Sequence, residues 1–349
     1  MHGGDIYRNI DRSRISLDFS VNVNPLGLPE KVRRALHDAV EDSQRYPDLR
    51  VEELRRALGR MAGIDDEDIL CGNGASELFM AVIHGLRPEK VLIPTPSFYG
   101  YERAAMAGMG EVRYYTMERE QNFCLTESFL QELSADTGLL FLANPNNPVG
   151  NLIHAKLLEE ILKICMERGI VVVLDECFMD FYDPHDSRSF LRRIYEFTNL
   201  IVVRAFTKIY AMPGVRLGYL ACADRRLRDR ILAQLPEWNV SAFAQRAGIA
   251  AAEETGYKEK TVRLIVEERA YLMEELQNIG MSVYPSDVNF LLFHSPKDLW
   301  EGMLKRGILI RDCSDFRGLS KGFYRICVRQ REDNKRLLAG IREIMDGTN

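Results

Sequence analysis

The sequence predicts an α/β protein: a mostly parallel central sheet in a large domain, joined to a smaller α+β domain. Three observations carry this. Between about Pro29 and Val240, short β-branched runs alternate with longer amphipathic stretches, the signature of a sheet with helices on its faces. Several of the short runs are apolar at nearly every position, which suits strands covered on both sides. Beyond Ser241 the alternation gives way to a long helical stretch and more widely separated strands.

Taken in order, the amphipathic spacing predicts helices over 31–42 and 51–61. A strand at 68–72 then runs into Gly72-Asn73-Gly74, and a helix follows over 76–86. Strands are expected at 90–95, 111–117 and 138–144, a helix at 155–168, and strands at 170–175, 200–206 and 217–223, closed by a helix at 225–235. The stretch 242–278 reads as one long helix linking the domains, followed by strands at 281–294, 308–311 and 324–329 and a helix over 331–345. The expected division is a large domain over 29–240 and a small one over 241–349, completed by 1–28. No repeat, low-complexity tract or Pro/Gly-rich linker interrupts this order.

Composition narrows the class. The chain has 349 residues, enough for a large core, and a net charge of −5 with its basic residues scattered. That pattern predicts no nucleic-acid or anionic-membrane surface. The longest apolar runs, such as 170–174, fall far short of the ~20 residues that span a bilayer. The N-terminal MHGGDIYRNIDRSR lacks the apolar core of a signal peptide. Seven cysteines lack metal-type spacing, and Cys71, Cys165, Cys177, Cys222 and Cys327 sit within apolar patterns. Reduced thiols in a cytoplasmic protein are expected, and six dispersed histidines predict no metal site.

Three segments carry chemistry. In RAFTKIYAMPGVRLGYL (204–220) a strand ends at Thr207 and Lys208, then a Pro213-Gly214 turn precedes Arg216. A lone lysine after a strand is ordinarily a surface residue. Here a second cation, eight residues on and beyond a tight turn, could return to the same crevice and neutralise a phosphate. In LCGNGASEL (70–78) a strand enters glycines and then a helix, whose free N–H groups and positive dipole end suit a phosphate. Glu77 stands where a dinucleotide fingerprint would place its third glycine, so that motif fails. The third segment pairs FLANPNNPVG (141–150) with VVVLDECFMDF (171–181), where a wholly apolar strand ends in Asp175. A carboxylate there is costly without a cationic partner, which a helix cap, a salt bridge or a protonated pyridine nitrogen could relieve. Asn147 lies in an Asn-Pro loop that favours turns in any case.

Together, the glycine turn, Phe98, Asn147, Asp175, Lys208 and Arg216 closely resemble the fold-type I pyridoxal 5′-phosphate (PLP) enzymes of the aspartate aminotransferase superfamily, over essentially the whole chain. The resemblance implies the PLP-dependent transferase fold and PLP as cofactor. It implies that Lys208 holds the cofactor as a Schiff base and that Asp175 pairs with its ring nitrogen. By the same resemblance, Asn147 donates to the ring oxygen and Phe98 stacks on the ring. Gly74, Ala75, Ser76 and Arg216 bind the phosphate, with Thr207 beside Lys208. Tyr46, in QRYPD, matches a tyrosine lent across a homodimer to the neighbour's phosphate.

Within the superfamily two branches stand near: histidinol-phosphate aminotransferases and the threonine-phosphate decarboxylases of cobalamin biosynthesis. HGGDIY, DFSVNVNPLG, DECFMDF, PEWNVSAFAQ and ILIRDCSDFRGL look more like the second. The same holds for Phe178, where the aminotransferase branch usually has tyrosine. This resemblance implies a small phosphorylated amino acid as substrate, with His2, Asn22, Arg311 and Arg325 around its phosphate and carboxylate. Two positions depart from the common pattern: Ala205 replaces a serine that touches the phosphate, and Val149 replaces the threonine of NPTG. Neither removes a charge. The motifs for the cofactor serve decarboxylation and transamination alike. The resemblance begins at His2, so an enzyme is expected rather than a DNA-binding regulator built on this fold.

Overall fold

The computed structural model describes residues 14–347. Strand β1 (Leu17–Asp18) precedes helices α1 (Glu30–Asp42) and α2 (Glu52–Ala62). Then come β2 (Ile69–Gly72), α3 (Ala75–Leu86), β3 (Lys90–Thr95), α4 (Gly100–Ala107), β4 (Glu111–Thr116) and β5 (Leu139–Ala143). They are followed by α5 (Ala155–Glu167), β6 (Val171–Asp175), β7 (Leu200–Ala205), α6 (Phe206–Ile209), β8 (Gly218–Ala221) and α7 (Arg225–Leu232). The C-terminal part adds α8 (Ala242–Ala252), α9 (Tyr257–Asn278), β9 (Ser282–Val283), β10 (Phe290–His294) and α10 (Trp300–Lys305). It closes with β11 (Ile308–Leu309), β12 (Arg311–Asp312), β13 (Phe323–Cys327) and α11 (Arg331–Asp346).

Seven strands form the main sheet in the order β2-β8-β7-β6-β5-β3-β4. The run from β7 to β4 is parallel, and β8 lies antiparallel to both of its neighbours. The predicted α/β class and mostly parallel sheet are therefore observed. The apolar runs explain it. Every residue of β7 is buried, as are Val172–Asp175 of β6, and each aliphatic side chain removed from water there contributes about 1.5–3 kcal/mol. A four-stranded antiparallel sheet, β12-β13-β10-β9, forms the C-terminal part, while β1 pairs in parallel with β11.

Three expectations are corrected. The predicted helix over 242–278 is two helices, because Gly256 takes a left-handed φ of +74° between α8 and α9, a conformation cheap only for glycine. α8 packs on α1 and α2, and α9 packs on α11 and the C-terminal sheet, so the bend lets one apolar sequence serve two neighbours. The predicted strand over 281–294 is split between β9 and β10 by a turn containing Pro285, whose missing N–H cannot join a ladder. The run 308–311 is likewise divided: β11 pairs with β1, and β12 with β13.

The topology places the chemistry. The ends of β5, β6 and β7 lie side by side (Ala143↔Asp175, Asp175↔Val203), and β8 begins against both β7 and β2 (Ala205↔Gly218, Gly72↔Gly218). The segment after β1 crosses this edge, where the Asn24 N–H donates to the Lys208 carbonyl at 3.1 Å and its Nδ2 to the Ile209 carbonyl at 2.7 Å. Among the described residues, no helix is long and apolar enough to cross a membrane.

Candidate active site

The turn between β2 and α3 is built for close approach. Gly74 caps α3 with φ +81° and no side-chain cap, leaving the first N–H groups of a 12-residue helix to meet a ligand. A Cβ at Gly74 would stand 2.5 Å from Nη2 of Arg216, and one at Gly218 would stand 2.8 Å from the Ala75 nitrogen. Only glycines allow the guanidinium and the helix end to share this space. Arg216, itself at φ +63°, donates to neutral carbonyls, those of Pro213 at 3.2 Å and Asn73 at 3.5 Å.

A cavity of about 300 Å³ opens beside this turn, within the range of small-molecule sites. Asn22, Ala75, Ser76, Phe98, Asn147, Asp175, Thr207, Lys208, Arg216, Arg311 and Arg325 all line it. Gly74 is not among the lining residues; it caps α3 immediately before Ala75, which is. Tyr46 does not line it: 80% exposed, it packs on Trp238 with ring centroids 4.6 Å apart. His2 lies outside the described residues. Ala205 presents only a methyl group to the cavity, and Val149 is buried in the core.

Asp175 ends β6, buried. Its Oδ2 accepts from the Tyr101 hydroxyl at 2.5 Å and its Oδ1 from the Cys177 N–H at 2.9 Å. Burial pushes its pKa above the ordinary carboxylate value, and among the described residues no cation pairs with it. A buried carboxyl facing a cavity under these conditions is matched by a cationic ligand atom.

Tyr101 is a site residue that sequence reasoning missed, as it missed Tyr99 and Phe316, which also line the cavity. Tyr101 lies on α4 one turn before the buried Ala104 and Ala105; that i, i+3, i+4 spacing in GYERAA was the available signal. Without the helix, Tyr101 cannot be placed beneath Asp175.

Lys208 follows β7 in the short helix α6. Burial, then the Arg325 guanidinium, depresses its amine to about 8. Above that pH the neutral, nucleophilic form prevails. In the cofactor-free protein, acylation of Lys208 followed by peptide mapping is expected to rise with pH through a midpoint of about 8, rather than the ordinary 10.5. A midpoint at the ordinary value would contradict the depressed amine.

Arg311 and Arg325 face each other on β12 and β13. Arg325 is buried, and its pKa is lowered to about 10, chiefly by burial. Nη1 donates to the Asn147 amide oxygen and Nη2 to the Ser20 carbonyl at 2.9 Å, while Nε has no partner among the described residues. Asn147 thus spends its oxygen on Arg325 and keeps its amide donors for a ligand oxygen. The buried Asn22 Oδ1 is also without a partner among the described residues.

These demands converge on one ligand. An uncapped helix end with Arg216 suits a phosphate, a buried carboxyl suits a protonated ring nitrogen, and a lysine with a lowered pKa suits an aldehyde carbon. The residues present fit PLP.

Comparison with known proteins agrees. Residues 14–341 match the family model for aminotransferase class I and II. The chain is 37% identical to the threonine-phosphate decarboxylase of Salmonella typhimurium, over 99% of this chain and 97% of the relative. It is 33% identical to a histidinol-phosphate aminotransferase of Thermoanaerobacter pseudethanolicus, over 97% of this chain and 96% of the relative. Among solved structures, the histidinol-phosphate aminotransferase from Clostridium acetobutylicum superposes with a TM-score of 0.89 at 30% identity, covering 95% of this chain and 99% of that one.

Proposed function

This chain belongs to the class I and II aminotransferase family, whose members depend on PLP, and from that premise we propose that it decarboxylates L-threonine O-3-phosphate. The observation that carries the reading is the charge imbalance of the cavity. Among the described residues lining it, the cations Lys208, Arg216, Arg311 and Arg325 stand with one carboxylate, Asp175, and the neighbouring Asp315 offsets only Arg311. Such a site suits a ligand pair bearing phosphates and a carboxylate. Phe178 also lines the cavity and offers no hydroxyl to the ring oxygen, as the decarboxylase resemblance implies. The similarity to the Salmonella decarboxylase supports the same choice.

The chemistry the cofactor supplies when bound is an electron sink for charge developing at the substrate's Cα. The chain's own residues do the rest. Lys208 would hold the cofactor covalently and, once released, carry a proton to or from Cα. Asp175, steadied by Tyr101 and the Cys177 N–H, would keep a negative charge against the ring nitrogen. The Ala75 and Ser76 end of α3 and Arg216 would hold the cofactor's phosphate, with Tyr46 from a second copy of the chain completing it in a homodimer. Asn147 would donate to the ring oxygen and Phe98 would cover one ring face. Arg325, charged and buried with only neutral hydrogen-bond partners among the described residues, would take the substrate's anionic end, with Asn22 and Arg311 nearby.

A second reading, transamination of histidinol phosphate, is favoured by the similarity to the Clostridium and Thermoanaerobacter enzymes. Incubation with each phosphorylated substrate, with and without 2-oxoglutarate, separates the two. The expected result is CO₂ release from threonine phosphate with no need for an oxo-acid. Glutamate formed only with the acceptor present would overturn it.

A further inference from the structure

The two arginines of the cavity are not electrostatically equivalent. Arg325 donates to neutral acceptors, the Asn147 amide oxygen and the Ser20 carbonyl. Arg311 carries its own counter-ion. Its Nη2 donates to both oxygens of Asp315, at 2.7 and 3.0 Å, and its Nη1 to the Asp312 carbonyl at 2.7 Å. A guanidinium offers two planar two-donor forks, Nε with Nη2 and Nη1 with Nη2. Both forks include Nη2. An incoming carboxylate in either fork must therefore share Nη2 with the Asp315 carboxylate and meet its negative charge, and that charge offsets the charge of Arg311.

The pairing is held by its neighbours in the chain. Phe316 lines the cavity with its ring centroid 5.1 Å from the Arg311 guanidinium carbon. Arg317 reaches across to α4, bridging Glu102 at 2.7 Å with its guanidinium carbon 3.9 Å from the Tyr114 ring centroid. The segment 315–317 is thereby pinned to both halves of the site wall.

We infer that Asp315 is a specificity-determining residue that denies the site a second carboxylate clamp, and so excludes dicarboxylic amino acids and 2-oxo diacids. A tetrahedral phosphate needs no planar fork, and can accept singly from the Nε–H and the remaining Nη1–H of Arg311. The inference deepens the proposed action on a phosphorylated amino acid and rests on that reading. It also gives a physical reason why a 2-oxo diacid acceptor would be disfavoured here.

The test is equilibrium titration of the PLP-loaded wild type, Asp315→Asn and Asp315→Glu with maleate, an unreactive dicarboxylate, and with inorganic phosphate, read by cofactor absorbance and by Tm. The expected result is that Asp315→Asn binds maleate about tenfold or more tightly than wild type, one charge-assisted fork regained. Phosphate should gain less, and Asp315→Glu should stay within about threefold of wild type for maleate. In Asp315→Asn/Arg311→Gln the gain should vanish. The inference falls if Asp315→Asn, with a wild-type cofactor spectrum, binds maleate no better than wild type, or if the gain survives in the double variant. This readout is separate from CO₂ release. A maleate gain without decarboxylation would sink the substrate reading and leave the role of Asp315 standing, and the converse would sink only the latter.

Discussion

Lys208→Ala is expected to lose turnover on the order of 10⁴-fold, the upper range for removing a positioned proton-transfer group. It should also lose the visible absorbance of a lysine-bound cofactor. The argument is geometric before it is chemical. Lys208 stands one turn past the end of β7, in a cavity it shares with Asp175, Arg216 and Arg325. Among the described residues lining that cavity it is the one lysine. Its amine is pushed down to about 8, chiefly by burial, so removing it relieves a desolvation cost. The variant should therefore fold with an unchanged or raised Tm while turnover disappears. Rates measured with a saturating phosphorylated substrate, together with a spectrum of the purified protein, check both halves. A wild-type spectrum in the variant would exclude Lys208 as the attachment point.

Asp175→Asn is expected to cost about 10²–10³-fold in turnover, the scale of losing one electrostatic stabiliser aimed at the reacting system. The asparagine oxygen can take the place of Oδ1 and accept from the Cys177 N–H, while its amide donates to the Tyr101 hydroxyl oxygen, so the local geometry is kept with the Tyr101 bond reversed and the charge goes. In the cofactor-free protein the charge is a burden, since burial already raises the pKa of Asp175. The sign follows: a folded-state pKa above the unfolded one means that the carboxylate contributes stability only when protonated. Stability is lost as the pH rises through the ordinary carboxylate range toward the raised value. Substitution should thus leave the cofactor-free protein at least as stable at neutral pH, and weaken the holoenzyme. Melting curves with and without PLP, alongside kcat, read this directly. Turnover within about threefold of wild type would remove Asp175 from the proposed mechanism.

Much of the site was legible because its chemistry sits at strand ends, and strand ends are written locally. The run VVVLD announces both a two-side-covered strand and an acid at its tip, and LIVVRAFTK does the same for a lysine. Gly74 marks the turn before α3 because its φ of +81° is cheap only for glycine, with an arginine 2.5 Å from its Cβ position, and Gly72 because a Cβ there would stand 2.8 Å from the Leu78 side chain. Where local patterns misled, the cause was a neighbour. Apolar periodicity runs on through 242–278, yet α8 and α9 bury it against different partners, and Gly256 makes the bend. Tyr101 was hidden in a short helix whose role depends on which strand end lies above it.

By itself the sequence determined the fold class, the chemical types gathered along the chain, and the order in which the strands deliver them. Periodicity, glycine placement and charge are properties of short segments. Only the tertiary structure decided which of those groups are already satisfied. Asn147 and Arg325 are 178 positions apart and share a hydrogen bond, Tyr101 and Asp175 are 74 apart, and Asp315, not a substrate, holds Nη2 of Arg311. A residue's charge is intrinsic to it. Its partners and its burial, which set how strongly that charge acts on a ligand, exist only once distant segments pack together.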